Sequence, residues 1–419
     1  MVNVNPLRGF RDLYPKEKGE QSFIFKKTTE IAEFLGYEAY DGPVIEPVDL
    51  YLNKTSRELL ERQTFQIKDK KENVLVLRPE ITPTLARMVA KQANEMTFPV
   101  KLFNIGVRFR YEAPQKGRSR EFFQADFDIL GSNSVFSDAE IIYTAISILK
   151  SFGATSDDFV LYLNSRDFIE QELIKLGVKK TQVKSVLSVI DKKNKVDEKT
   201  FSSMLIDIGI DQKILGLVVK VTEQDINSDS FPYFNKLFEI LKLMSVDKYC
   251  KINPSIVRGL DYYTGFVFEV FDKGLVKRSL LGGGRYNNLI NQYNSKLNIP
   301  GVGFAFSDVV ISEFLQDKKL FPQETTVKTK YLVSVFNSNT LTSSYEILNL
   351  LRENNIPCEI YLDSDKNLDK QLKYADKKNI PYVIIIGPDE IKEKTVTIKN
   401  LNKRTQEKIQ IKNLLSEIK

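Results

Sequence analysis

Four short stretches gather arginine, carboxylate, tyrosine and glycine at the ends of apolar runs: LRPEIT at residues 77–82, FRYE with QKGRSREFFQADFD across residues 109–128, RGLDYYTG at 258–265, and GGGRY at 282–286. Buried strands do not usually end in charges unless those charges meet partners or a ligand. Arginine suits bidentate binding of phosphate or carboxylate. Carboxylates suit an ammonium or another N–H donor, tyrosine offers an apolar face with a hydrogen-bonding tip, and glycine lets a ligand approach the backbone. Together the four stretches describe a pocket for a zwitterion and a polyphosphate. The chain contains no histidine. That removes Ser-His-Asp and Cys-His catalysis, histidine-ligated metals and an imidazole base, leaving Arg, Asp, Glu, Tyr, the backbone or a bound ion to do the chemistry.

The elements that must position these groups are readable from periodicity. Residues 20–36 place apolar side chains at Phe23, Ile24, Ile31, Phe34 and Leu35 and stop at Gly36, which predicts an amphipathic helix. Residues 74–77 read as a strand that turns at Pro79 and enters a helix with Pro83 in its first turn, where a missing N–H costs little. VKLFNIGVRFRYE and EFFQADFDILG are strand-like runs around a polar, basic loop, a hairpin-like device. A helix is expected over residues 138–152, a strand from Phe159, and another strand from Phe266 to Phe271. Tyr262 and Tyr263 have a rival reading as core aromatics: because neighbouring strand residues point to opposite faces, one can be core while the other lines the pocket.

Length and composition bound the rest. At 419 residues the chain exceeds one ordinary core, and 42% hydrophobic with 28% charged residues is usual for a folded, non-disordered protein. Residues 165–250 repeat apolar positions at three and four and are rich in lysine, which predicts a mostly helical insertion between two parts of a core, 1–164 and 251–322. LFPQETTVKTK reads as a linker. Beyond it, residues 328–419 alternate strand and helix, as in a small α/β domain with a largely parallel sheet. The net charge of +6 is mild, but sixteen Lys and Arg against twelve Asp and Glu after residue 327 put +4 of it in this last segment, compatible with a polyanion-binding face. Cys250 and Cys358 lie far apart and form no metal or disulfide pattern. No run approaches the roughly 18 to 20 apolar residues of a membrane span, and the reading expects a cytoplasmic protein with no membrane partner.

The order and spacing of the four stretches resemble histidyl-tRNA synthetase, a family of class II aminoacyl-tRNA synthetases. FRYE with its basic loop and REFFQADFDILG looks like the second motif of that class, and RGLDYYTG and GGGRY look like the two signatures of the histidine enzymes. The resemblance runs from RGFRDLYP through the last domain. It implies an α+β catalytic core, an antiparallel sheet flanked by helices, with a helical insert and a C-terminal α/β domain that reads the tRNA anticodon. It also implies activation of L-histidine with ATP, helped by Mg2+, followed by transfer to tRNA(His). Carried onto this sequence, it gives Glu80 and Thr82, with Ile81 between them, to the α-ammonium of histidine, and Gln124 and Asp128 to its polar groups. Tyr262 and Tyr263 would wall the imidazole. Arg110 would bind the α-phosphate, Glu112 the adenine side, and Arg258 both the substrate carboxylate and the α-phosphate. Gly283 and Gly284 would lie along the floor. Arg120 and Arg285 are left between a site role and a surface ion pair, and no residue is assigned to the metal.

Two departures accompany the resemblance. The third class II motif usually carries an arginine for the γ-phosphate, whereas GVGFAFSDVVI puts Val310 there; and GGGRYNN has Asn287 where an aspartate is common. Class II enzymes of this kind are homodimers, with residues 37–51 falling at the interface-building first motif. The alternatives within the same fold are a non-charging, synthetase-like regulatory subunit of ATP phosphoribosyltransferase, which normally lacks the last domain, and an RNA-binding sensor module.

Overall fold

The computed structural model describes residues 3–51, 63–115, 117–193, 196–222, 226–258, 262–323, 329–363 and 367–418. The chain divides into two compact units, Met1–Phe321 and Pro322–Lys419. The expected linker lies partly at 324–328, outside the described residues.

Along the first unit the strands are β1 (Glu38–Ala39), β2 (Ile45–Pro47), β3 (Phe65–Lys68), β4 (Val74–Leu77), β5 (Val100–Phe109), β6 (Glu121–Leu130), β7 (Phe159–Ser165), β8 (Cys250–Ile252), β9 (Phe266–Asp272), β10 (Ser279–Arg285) and β11 (Gly301–Ser307). Eight of them make one sheet in the order β1-β5-β6-β11-β10-β9-β7-β8. Its six central strands pair antiparallel, while β1 on β5 and β8 on β7 pair parallel at the two edges. The expected antiparallel sheet flanked by helices is therefore present, with parallel edge strands that sequence pattern did not disclose.

Strand β6 shows why this sheet can carry a site. Its odd positions Ala125, Phe127 and Ile129 join the apolar core with Phe304, Ile142 and Ile146, and Phe127 stacks on Phe304 with ring centres 4.9 Å apart. Its even positions Gln124, Asp126 and Asp128 line a cavity on the other face. A period of two thus splits one strand into a core face and a chemical face. The core side is covered by helices Pro15–Phe34, Val135–Ser151 and Asp308–Asp317. The first begins at Pro15, suited to an initial turn, five residues before its expected start. Its buried stripe is Gln21, Ile24, Thr28 and Ala32, while Phe34 is 82% exposed, so the stripe expected to include Phe34 is rotated.

Between β7 and β8 the chain is helical. Helices Arg166–Lys175, Lys180–Ile190, Glu198–Asp207 and Gln212–Val221 share a core of their own around Leu173, Val186, Phe201 and Leu205. Helix Pro232–Leu243 does not join them. Phe234, Leu237 and Leu241, spaced at three and four, place it in the main core instead.

The second unit contains β12 (Tyr331–Val333), β13 (Cys358–Ile360), β14 (Tyr382–Ile385), β15 (Thr395–Asn400) and β16 (Thr405–Gln410), ordered β13-β12-β14-β15-β16. The first three pair parallel and the last two antiparallel, so the sheet is mixed rather than largely parallel. Helices Leu341–Glu353 and Leu368–Lys377 supply the long crossovers that parallel neighbours need, and residues 401–404 close β15 and β16 as a hairpin, while β14 and β15 pair antiparallel although helix Pro388–Glu393 joins them.

Candidate active site

The cavity on the chemical face of the large sheet holds about 800 Å3, within the range of small-molecule sites. Its floor is polar and buried. Arg108 and Asp126, both nearly inaccessible, form an ion pair at 2.9 Å, and Gln124 donates to Asp126 Oδ1 at 2.7 Å. Asp128 accepts a hydrogen bond from the Tyr286 hydroxyl on Oδ1; its buried Oδ2 makes no hydrogen bond of ordinary geometry, and the Tyr40 hydroxyl, itself unsatisfied, lies close enough to favour the ionised carboxylate. Burial pushes the Asp128 carboxyl up to about 7; the Tyr286 hydrogen bond opposes this and the nearby Asp126 charge adds to it. A buried acceptor left without a well-placed donor is costly in an apolar interior.

One wall is the loop between β8 and β9. Arg258 within it has φ +49°, in the left-handed region that a non-glycine residue enters only when its surroundings enforce it. Two side chains do the enforcing, one near the end of β7 and one at the start of the helix that follows it. Asn164 donates to the carbonyls of Pro254 and Ile256 at 3.1 and 3.0 Å. Arg166 spreads its guanidinium over the carbonyls of Val257, Arg258 and Tyr263, the last two at 2.8 and 2.6 Å. So fixed, the Arg258 guanidinium pairs with Glu269 at 3.2 Å and lies over the Tyr263 ring at 5.4 Å. A side chain at Gly282 would collide with it, which is why β10 is bare there.

Arg166 was not among the expected site residues, although it carries the same signal, a charge at the end of an apolar strand. Replacing Arg166 with Ala should release the loop: amide exchange around Val257 and Tyr263 should accelerate about 10–100-fold, the scale of one or two lost charge-assisted hydrogen bonds. Strand β6 should stay protected. Unchanged exchange in the loop would show that its anchor lies elsewhere.

Both Tyr262 and Tyr263 line the cavity, with ring centres 4.9 Å apart, and Tyr262 donates to Glu80 Oε2 at 3.0 Å. They lie ahead of β9 in irregular backbone, so the strand alternation that would have turned one of them away does not operate. Glu80 and Thr82 line the cavity at the start of helix Thr82–Gln92, whereas Ile81 between them is fully buried and lines nothing. The other wall is Arg110, which donates to the Pro79 carbonyl at 3.0 Å and sits over the Phe122 ring at 5.3 Å. Glu112 also faces the cavity and pairs with Arg118 at 2.9 Å.

The expectations for the glycines and Asn287 are corrected, and the choices left open at Arg285 and Arg120 are filled by other contacts. Gly283 and Gly284 do not line the cavity; Gly283 packs against the backbone of β11, and Gly282 is the residue beneath Arg258. Arg285 is no surface ion pair: it is buried, pairs with Asp138 at 2.8 Å and donates to the carbonyls of Ser132 and Ser134. Arg120 lies over the Tyr111 ring at 4.1 Å and donates to the Glu112 carbonyl, bracing the basic loop. Asn287 accepts from Arg285 at 3.4 Å outside the cavity lining, so the missing aspartate charge touches this fastening and not the pocket. Tyr286, quoted with GGGRY but given no role, belongs to the site through Asp128.

A family model described as histidyl-tRNA synthetase matches residues 9–308, and one described as anticodon binding domain matches residues 330–419. The histidine–tRNA ligase of Leptospira biflexa is 34% identical over 425 residues, covering 98% of this chain and 96% of its own. That of Picrophilus torridus is 34% identical over 431 residues, covering all of both chains. In fold, the chain is similar to the crystal structure of histidyl-tRNA synthetase from Nostoc sp. PCC 7120, with TM-score 0.82, 23% identity and coverage of 100% and 99%. It is also similar to a Bacillus halodurans structure described as an ATP phosphoribosyltransferase regulatory subunit/histidyl-tRNA synthetase, with TM-score 0.73, 20% identity and coverage of 89% and 97%.

Proposed function

The chain belongs to the histidyl-tRNA synthetase family, and we propose on that footing how its own residues join L-histidine to ATP and pass it to tRNA(His). Glu80 and Thr82 hold the substrate ammonium, Asp128 and Gln124 meet its remaining N–H groups, and Tyr262 and Tyr263 enclose the imidazole. Arg258 then lies between the substrate carboxylate and the α-phosphate, with Arg110 on the opposite wall. The carboxylate oxygen attacks the α-phosphorus, the bond from that phosphorus to the bridging oxygen breaks, and pyrophosphate leaves with the electron pair. A carboxylate ionised at neutral pH needs no general base. It needs positive charge where negative charge accumulates, which two fixed guanidiniums supply. Glu112, paired with Arg118, is best placed on the adenine side.

Mg2+ comes with the triphosphate. Among the described residues no three acidic side chains group closely enough to hold an ion alone. Nucleotide sites usually complete Mg2+ with phosphate oxygens and one or two carboxylates, and Glu269, which lines the cavity beside Arg258, is the carboxylate that would supply one. When bound, the ion neutralises charge on the phosphates.

The observation that carries the reading is Arg258, forced into a left-handed conformation by Arg166 over a bare Gly282. Together with the anticodon-binding match over residues 330–419, it favours a charging enzyme over a regulatory subunit. In the cytoplasm the second unit would hold tRNA mainly through phosphates, with strong salt dependence. A homodimer through residues 37–51 suits Val44 and Ile45, which are 37% and 45% exposed in the single chain. The test is ATP–pyrophosphate exchange, expected with histidine and absent with other amino acids, followed by charging of tRNA(His). No exchange with histidine sinks the reading.

A further inference from the structure

The cavity lining also takes in residues 277–282, where β10 begins. There Arg278 lines it, half-buried, and makes no ion pair or hydrogen bond among the described residues. Its neighbour Arg118 is already engaged by Glu112. Burial first and then repulsion from Arg118 hold the Arg278 guanidinium below its ordinary pKa, although the Glu313 and Glu112 charges pull the other way.

Backbone geometry delivers Arg278 to this place. Pairing between β10 and β9 shifts register between Ser279 and Leu281, and such an irregularity next to a site re-aims the side chains beside it. Gly117, in the basic loop with φ +71°, makes room: a methyl there would lie 2.8 Å from Arg278 Cδ, 3.3 Å from Arg278 Nη1 and 3.3 Å from Glu313 Oε2. Glu313 follows Val310 by three residues on helix Asp308–Asp317, so the two share a face. The Arg278 guanidinium and the Glu313 carboxylate thus both border Gly117, and Arg278 lines the same cavity as Val310, which supplies only a buried apolar side chain.

We propose that Arg278 is the γ-phosphate ligand of this chain, a cation brought from the start of β10 to the position that helix Asp308–Asp317 leaves neutral at Val310. The proposal rests on the synthetase reading for the orientation of ATP, with the α-phosphate at Arg110 and Arg258 and the triphosphate tail running toward the start of β10. Arg278 draws the tail outward, lines the leaving pyrophosphate up with the attacking carboxylate, and offsets the charge that develops on it.

Equilibrium binding tests this without catalysis. R278A should weaken ATP about 10–100-fold, the range for a lost charge-assisted contact, and leave ADP and histidine within about twofold, the retained ADP affinity also certifying the fold. R278K should fall between the two, since an ammonium keeps the charge but not the planar fork. Equal loss of ATP and ADP, or ATP affinity within about twofold of the unchanged chain, overturns the assignment. An unchanged chain that binds ATP but shows no histidine-dependent exchange defeats the synthetase reading instead, and the ATP-against-ADP contrast of R278A still reports on Arg278.

Discussion

Replacing Arg258 with Ala should slow histidine-dependent ATP–pyrophosphate exchange by about 10²–10³, the scale of one lost transition-state donor in a preorganised site. The expectation follows from how much structure is committed to this side chain. The left-handed backbone at Arg258 stores roughly 1–3 kcal/mol of strain that the surroundings must offset. Arg166 and Asn164 direct two side chains to the carbonyls of its loop, and Gly282 omits a side chain beneath it. Such a constellation matters most when charge builds on the phosphates, so kcat should fall with kcat/KM rather than KM alone rising. Arg258→Lys should recover little, because a point charge cannot span carboxylate and phosphate together. Exchange within a few fold of the unchanged chain would remove Arg258 from the reaction, whatever its place in the cavity.

How far these groups were legible in sequence depended on whether a side-chain period was available. Gln124, Asp126 and Asp128 alternate with Ala125 and Phe127, so the polar face of β6 could be read directly. The run Gly282, Gly283, Gly284 has no side chains to register, and parity had to come from the strand pairing that sets Gly284 against Val267 and Gly282 against Glu269. Tyr262 and Tyr263 defeated the alternation rule because Arg166, at the start of the helix after β7, holds their segment in irregular backbone. Arg278 looked like one more basic residue in KRS. Only the register shift at β10 and the gap at Gly117 bring it into the cavity. In the second unit strand and helix alternation was plain, while the antiparallel end of its sheet depended on a short connection whose pairing partner was not written in the pattern.

Substituting Asp128 with Asn should weaken histidine binding about 10²-fold, the scale of a buried charge-assisted hydrogen bond, and leave ATP binding nearly unchanged. The carboxylate is buried, and one oxygen is held by Tyr286 while Oδ2 makes no hydrogen bond of ordinary geometry beside the Tyr40 hydroxyl. Asn keeps the shape and the contact with Tyr286 but offers a ligand N–H no charge. The same group imposes a pH dependence with a definite sign. With its carboxyl at about 7 in the free protein, Asp128 is mostly protonated at pH 6 and mostly ionised at pH 8. A ligand that donates N–H binds the ionised form and pulls this pKa down. Histidine affinity should therefore rise by about tenfold from pH 6 to pH 8 through this group, added to any change from the imidazole of the ligand itself. The Asn variant carries the ligand contribution alone, so the difference between the two profiles isolates Asp128. Parallel profiles, or an Asn variant that binds histidine as tightly as the unchanged chain, would mean that the open oxygen serves some group other than the amino acid, and the orientation proposed for the substrate would have to be reversed.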